Sequence, residues 1–364
     1  MAERIDGLEG VVAAETVLSD VDGEAGRLLI RGYPVESLAG AWRFESVVRL
    51  LWDGFFEALP EDLAPALGDA RVTVFAEVSA VDERLLALPP VEAARALIAR
   101  LADGDGADAA LRVTAAPAVF IPAIVRLRAG QAPVPPDPGL SHAADILRMM
   151  RGEAAPAGLA EALDAYLVTI VDHGLNASTF AARVVASTRS GLTSAVLAGL
   201  GALMGPLHGG APGPVIEMLD AIGAPANAGP WLEAALDRGD RLMGFGHRVY
   251  RVRDPRADAL KAIVRRLGLG AAALPGRLAL AEAVEAAALA VLRARKPGRS
   301  LETNVELYTA LLLEALAFPP ETFTGVFAMG RAAGWIAHAR EQRAGGRLVR
   351  PQSRYVGPRP QAAA

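Results

Sequence analysis

LAEALDAYLVTIVDHG, residues 159–174, decides the fold class. Its Leu159, Leu163, Tyr166 and Ile170 recur at i, i+4, i+7 and i+11, the spacing that lines one face of an α-helix. Gly174 is placed to end that helix. His173 falls on the apolar stripe and so faces inward, either as a satisfied core histidine or as a ligand group. Leu280, Val284, Ala287 and Val291 repeat the stripe, and Phe44–Leu51 is apolar on one face. No sustained β alternation follows residue 40. Only residues 11–31, VVAAETVLSDVDGEAGRLLIR, read as β, two short strands around a DGEAG turn. The expectation is an all-α protein with a short N-terminal β-hairpin.

The chain has 364 residues, 52% hydrophobic and 21% charged, enough for two modest domains with a core that needs no covalent staples. Its net charge of -4 gives no reason to expect a nucleic-acid partner. It has no cysteine, which excludes disulfides, thiolate metal sites and a cysteine nucleophile, and fits a reducing compartment. The N-terminus lacks the basic and apolar run of a signal peptide. Ser190–Ile216 carries no charge, but glycines and prolines break it, and it reads as a buried helix followed by a loop rather than a membrane span. Loops are expected at Pro133–Gly139, Gly205–Gly213 and Lys296–Ser300, and an extended arm with a frayed tail from Arg347 onward. No HExxH, acidic cluster or His/Cys pair suggests a metal, and no phosphate-binding glycine loop is present.

The candidate chemistry sits on few residues. His208, in PLHGGAP, lies where Pro212 starts the next helix, and a helix N-terminus favours neutral imidazole, which donates well to a carbonyl oxygen that becomes enolate-like. His247 follows a Gly-X-Gly turn, and Asp254 and Pro255 then open a helix as N-cap and first-turn residue. Arg256 opposes the macrodipole in that first turn, which an anionic partner or simple solvent exposure explains. Phe327, Arg331 and Trp335 share one helix face with His338. A guanidinium on so apolar a face needs an anion, either a structural carboxylate or a substrate. Thr303 and Glu306 match a Thr-x-x-Glu capping box, which would give Glu306 a purely structural task.

Taken in order, GLEGVVAAETVLSDVDGEAGRLLIRGYPVESLA, DHGLNASTFAARVVAST, GPLHGGAP, GFGHRVYRVRDPRA, NVELY, GRAAGWIAH and RLVRPQSRYVGP resemble the citrate synthase family almost end to end. The resemblance implies a cytoplasmic, mostly helical homodimer. Residues 1–211 and 318–364 would form a large domain, and residues 212–317 a small one closing over the cleft. It implies condensation of acetyl-CoA with oxaloacetate and water to citrate and CoA, with the CoA thioester as co-substrate and no permanent cofactor, metal, nucleic-acid or membrane partner. By position, His208 matches the histidine that polarises the thioester carbonyl, and His247 the one that holds the oxaloacetate ketone. Glu306 matches the base that takes the acyl α-proton. His173, Arg256 and Arg331 match oxaloacetate-binding positions, and Arg350 matches an arginine that reaches the oxaloacetate of the neighbouring subunit. Leu242, Met243, Gly244, Phe245, Gly246 and Arg251 match CoA-contacting positions, with Arg295, Lys296 and Arg299 as further candidates for its phosphates.

Three positions depart from the family pattern. Glu306 stands where Asp is usual, moving the carboxylate by about an ångström, a displacement able to cost roughly a hundredfold in rate. Ile170 stands where many members have His, and Gln352 where Arg is common. Only residues 1–6 precede GLEG, so a dimer without the NADH site of the hexameric members is expected. Two alternatives stay open: 2-methylcitrate synthesis from propionyl-CoA, since one methylene is worth only about 1–3 kcal/mol, and a weakly active or inactive paralogue that binds oxaloacetate or CoA for a regulatory role.

Overall fold

A computed structural model describes residues 7–8, 10–209, 212–247, 249–266, 268 and 276–358. The tail expected to fray at residues 359–364 lies outside them. The chain opens on an antiparallel sheet of β1 (Ser19–Asp22), β2 (Arg27–Ile30) and β3 (Tyr33–Pro34), in that order, with Ser19 opposite Ile30 and Ile30 opposite Tyr33. The hairpin around DGEAG is there, but two features differ from the sequence reading. Residues 11–18 are not strand: Val11, Val12 and Val17 are exposed, so their apolar side chains line no half-buried face. The third strand arises because Arg31 and Gly32 both take positive φ, 50° and 88°, as a two-residue hairpin turn of the primed type requires. Arg-Gly is a weaker sequence signal for that turn than Asn-Gly, so it escaped the reading.

The remaining elements are helices: α1 (Val35–Leu38), α2 (Phe44–Trp52), α3 (Ala64–Phe75), α4 (Glu83–Leu86), α5 (Pro90–Ile98), α6 (Ala107–Arg128), α7 (His142–Arg151), α8 (Ala157–Ile170), α9 (Ala177–Ser187), α10 (Leu192–Leu203), α11 (Pro212–Ile222), α12 (Ala228–Asp237), α13 (Pro255–Arg266), α14 (Arg277–Arg295), α15 (Val305–Ala315) and α16 (Phe323–Gly345). The uncharged stretch from Ser190 is α10 followed by a loop. Among the described residues, α6 alone is long and apolar enough to cross a membrane, and it is packed inside the protein against α3, α5, α7 and α16. On α14 the buried stripe is Leu280, Val284, Ala288 and Leu292, a strict i, i+4 row, while Ala287 and Val291 are only half-buried. The sequence reading placed the last two members one residue early.

α16 crosses the end of α8 at very close range. A side chain on Gly334 would come within 2.2 Å of the Val171 carbonyl oxygen, and one on Gly330 within 2.8 Å of Ile170. These two glycines, four residues apart on one face, let the backbones meet and put Arg331 beside the C-terminus of α8. α11 and α13 pack on α15, and α13 also packs on α8. The ends of α8, α13, α15 and α16 therefore meet in one region.

Candidate active site

α8 ends at Ile170, three residues earlier than the glycine suggested, and His173 lies in the turn beyond it. Asp172 explains the early stop, because its carboxylate is anchored elsewhere. Ser19 donates to Asp172 Oδ2 at 2.5 Å and accepts from Gly174 N at 3.0 Å. His338 Nε2 stands 3.1 and 3.2 Å from the two Asp172 oxygens. Arg183 reaches His338 Nδ1 at 3.0 Å and Glu341 at 2.5 Å. Arginine only donates, so Nδ1 accepts and His338 carries its proton on Nε2, toward Asp172. Burial opposes charge on Asp172, but His338 and Arg331 outweigh it and hold the carboxyl below its ordinary range.

His173 faces inward, as its place on the stripe implied, and its Nε2 lies 3.0 Å from the Tyr250 hydroxyl. Burial, then Arg256, His247 and Arg331, push its pKa well below that of ordinary histidine. The His247 ring is 5.5 Å away, edge-on. Val249 N and Tyr250 N both donate to His247 Nδ1, at 3.1 and 3.2 Å, while Arg256 Nη2 stands farther off, 3.4 Å from Nε2, so the neutral ring's proton is assigned to Nε2. Burial, then Arg256, lowers the His247 pKa to about 4, which keeps it neutral near pH 7. Arg256 is buried, which removes solvent exposure as its explanation. It forks onto Asp254, Nε to Oδ1 at 3.0 Å and Nη2 to Oδ2 at 2.8 Å, and Nη2 lies 3.4 Å from His247 Nε2. Asp254 also caps Arg256 N at 3.0 Å, as expected, and accepts from Val305 N at 3.2 Å, joining the starts of α13 and α15.

The capping box at Thr303 is not formed. Asn304 is the N-cap of α15, its Oδ1 accepting from Glu306 N at 3.0 Å, which puts Glu306 one position too early to reach back. The strand-like bridge between Phe245 and Thr303 pulls Thr303 out of the helix start. Gly246 N donates to Glu302 O at 2.7 Å and Asn304 N to Gly244 O at 3.0 Å. Asn304 Nδ2 donates to Gly246 O at 2.9 Å and lies 3.5 Å from Glu306 Oε2. Glu306 is thus released from the structural task the sequence offered it. Burial raises its pKa against the pull of Arg241 and Arg256.

Arg331 is the buried cation whose counter-charge is missing. It is 1% exposed, its Nε donates to Ile170 O at 2.6 Å, and its guanidinium lies 4.7 Å from the centre of the Phe327 ring. Among the described residues no carboxylate comes within ion-pair distance, and Nη2 is buried without a hydrogen-bond partner. Burial lowers its pKa to about 10. Asp172 acts on it at longer range, but among the described residues no structural carboxylate pairs with it directly.

His208 belongs to a neighbouring cluster. Its Nε2 lies 2.8 Å from Ser178 Oγ, which accepts from Trp335 Nε1 at 3.1 Å and donates to Asn176 Oδ1 at 2.7 Å. Asn176 is the N-cap of α9 and already receives Ser178 N and Thr179 N, both at 3.1 Å.

Beside these groups lies a cleft of about 1210 Å³, lined by Leu242, Phe245, Gly246, His247, Arg251, Lys296 and Arg299 among the sequence candidates. That exceeds the roughly 300–1,000 Å³ typical of small-ligand pockets. Met243 and Gly244 lie in the same loop but do not line it; Gly244 backs onto Leu307. Arg295 ion-pairs with Asp237 and is not part of the lining. Arg350 is exposed on the extended arm, whose Val349 N is held by Ser187 Oγ at 3.0 Å, and does not reach this cleft. Sequence reasoning missed Arg241, Leu175 and Phe180 in the cleft wall, and Tyr250, Ser178 and Asn304 behind it. Asn176 and Asn304 had a usable signal, an N-cap residue directly before an apolar helix.

Neutral histidines, an unpaired buried guanidinium, a buried carboxylate of raised pKa and a cationic cleft together define an acid–base enzyme for anionic substrates. The model of the citrate synthase C-terminal domain matches residues 7–352. A putative citrate synthase 2 of Mycobacterium tuberculosis is 40% identical over 98% of this chain and 94% of its own. A 2-methylcitrate synthase of the same organism is 38% identical over 96% and 90%. A citrate synthase of Thermoplasma acidophilum, solved as a ternary complex with carboxymethyl coenzyme A and oxaloacetate, superposes with a TM-score of 0.84 at 27% identity, covering 98% of this chain and 96% of that one. The chain belongs to the citrate synthase family.

Proposed function

We propose that this chain condenses acetyl-CoA with oxaloacetate and water to give citrate and CoA. The observation that carries the reading is Arg331, a buried guanidinium with an unpartnered Nη2 and, among the described residues, no carboxylate within ion-pair distance. Such a group is costly unless an anion completes it, and a dicarboxylate completes it. Oxaloacetate then lies among His173, Arg256 and Arg331, with His247 Nε2–H donating to its ketone oxygen. Glu306 takes the α-proton of the thioester, and His208 donates to the developing enolate oxygen. The enolate carbon attacks the ketone carbon. Water then hydrolyses the thioester of the adduct, CoA leaves, and citrate is released.

The cleft with Arg241, Arg251, Lys296 and Arg299 takes the CoA phosphates in this reading. Residues 212–317 act as the small domain that closes on residues 1–211 and 318–364. The active unit is a homodimer in the cytoplasm, each Arg350 serving the other copy's oxaloacetate. The 38% identity to a 2-methylcitrate synthase favours propionyl-CoA as a second acyl donor. The test is oxaloacetate binding by Arg331→Met, which keeps the volume and removes the charge. Binding should weaken on the order of a hundredfold, two charge-assisted hydrogen bonds being lost. The melting temperature should hold or rise, because an uncompensated buried charge is gone. Unchanged binding contradicts the reading.

A further inference from the structure

The N-terminal hairpin has no part in the chemistry above, yet its turn presses on the loop that orients His247. A Cβ built on Gly23 would lie 2.2 Å from Val249 O and 2.8 Å from Val249 C. One on Gly26 would lie 2.8 Å from Val252 Cγ2 and 2.9 Å from Arg253 O. Arg251 N donates to Gly23 O at 2.9 Å. The turn is itself fixed, since Asp22 Oδ1 accepts from Glu24 N at 3.1 Å and Ala25 N at 2.9 Å. At the other end of β1, Ser19 holds Asp172 and Gly174, the neighbours of His173. A strand of four residues, about 13 Å long, thus runs from the backbone around His173 to the loop behind His247.

We propose that the DGEAG turn is the seat of residues 249–253 and, through Val249 N and Tyr250 N, positions the His247 imidazole for the oxaloacetate ketone. The proposal rests on the reading of His247 given above. Glycine at 23 is required by this approach rather than by the turn: its φ is outside the left-handed region, and the nearest atoms an alanine would meet are the Val249 carbonyl and, at 3.0 Å, Val249 Cγ1. Displacing that carbonyl moves both amides that hold His247 Nδ1.

The test compares wild type, Gly23→Ala and Glu24→Ala, the last an exposed neighbour in the same turn. Titration calorimetry with oxaloacetate should show Gly23→Ala binding about tenfold or more weaker, given the steep dependence on placement, while Glu24→Ala binds and melts as wild type. Wild-type affinity in Gly23→Ala overturns the seat. Hydrogen exchange gives a second readout that needs no oxaloacetate, and its wild-type arm needs no variant. The Arg251 amide should be protected in wild type and lose that protection in Gly23→Ala. An Arg251 amide that exchanges in wild type as fast as unstructured chain overturns the seat. If wild type binds no oxaloacetate, the proposed function falls, and the exchange result alone decides the seat.

Discussion

Glu306 is held by one side chain, that of Asn304, which caps its amide at 3.0 Å and stands 3.5 Å from its carboxylate. As the base, Glu306 must be ionised, and burial raises its pKa. Activity should therefore fall with decreasing pH along a limb set above the ordinary glutamate range. Asn304→Asp keeps the capping oxygen but puts a second anion beside Glu306, which disfavours the carboxylate further. That limb in kcat/KM should move up by about one pH unit, and the pH–rate profile reads it directly. An unmoved limb removes Glu306 as the titrating base. At this scale the sequence was legible where a residue type is rare in its setting, as with Arg331 on an apolar face. It misled at Thr303, where the Thr-x-x-Glu spacing is satisfied but the bridge to Phe245 takes Thr303 out of the helix. A pairing between residues 58 apart in the chain leaves no trace in a local pattern.

Among the elements, the crossing of α8 and α16 sets Arg331, the arginine proposed to bind oxaloacetate, beside the end of α8. Gly334 meets the Val171 carbonyl so closely that any side chain must push the helices apart. Gly334→Ala should destabilise the fold by about 1–3 kcal/mol, visible in urea unfolding, and should also weaken oxaloacetate binding because Arg331 rides on the displaced helix. Gly345→Ala, with nothing near its Cβ, is the matched control. The helices themselves were readable from apolar spacing. Their ends were less so: α8 stops at Ile170 because Asp172 is claimed by Ser19 and His338, partners distant in sequence. The stripe of α14 slipped by one residue because alanine is small enough to sit on either side of a boundary.

For the molecule as a whole, the cationic cleft meets the buried histidine and arginine groups at His247, which belongs to both, and the proposed reaction uses the two together. The order of motifs made the family legible, since that order is global information carried by many segments at once. The acyl group is not legible in the same way, because a methylene is worth little and the cleft is wide. The central claim is that the chain condenses an acyl-CoA with oxaloacetate through Glu306. Release of CoA should be followed with oxaloacetate plus acetyl-CoA, and again with propionyl-CoA, for wild type and Glu306→Gln. The account predicts turnover by wild type with at least one donor, and a drop of roughly 10²–10⁴-fold in Glu306→Gln. No release above blank with either donor, or equal rates for the two proteins, would contradict it.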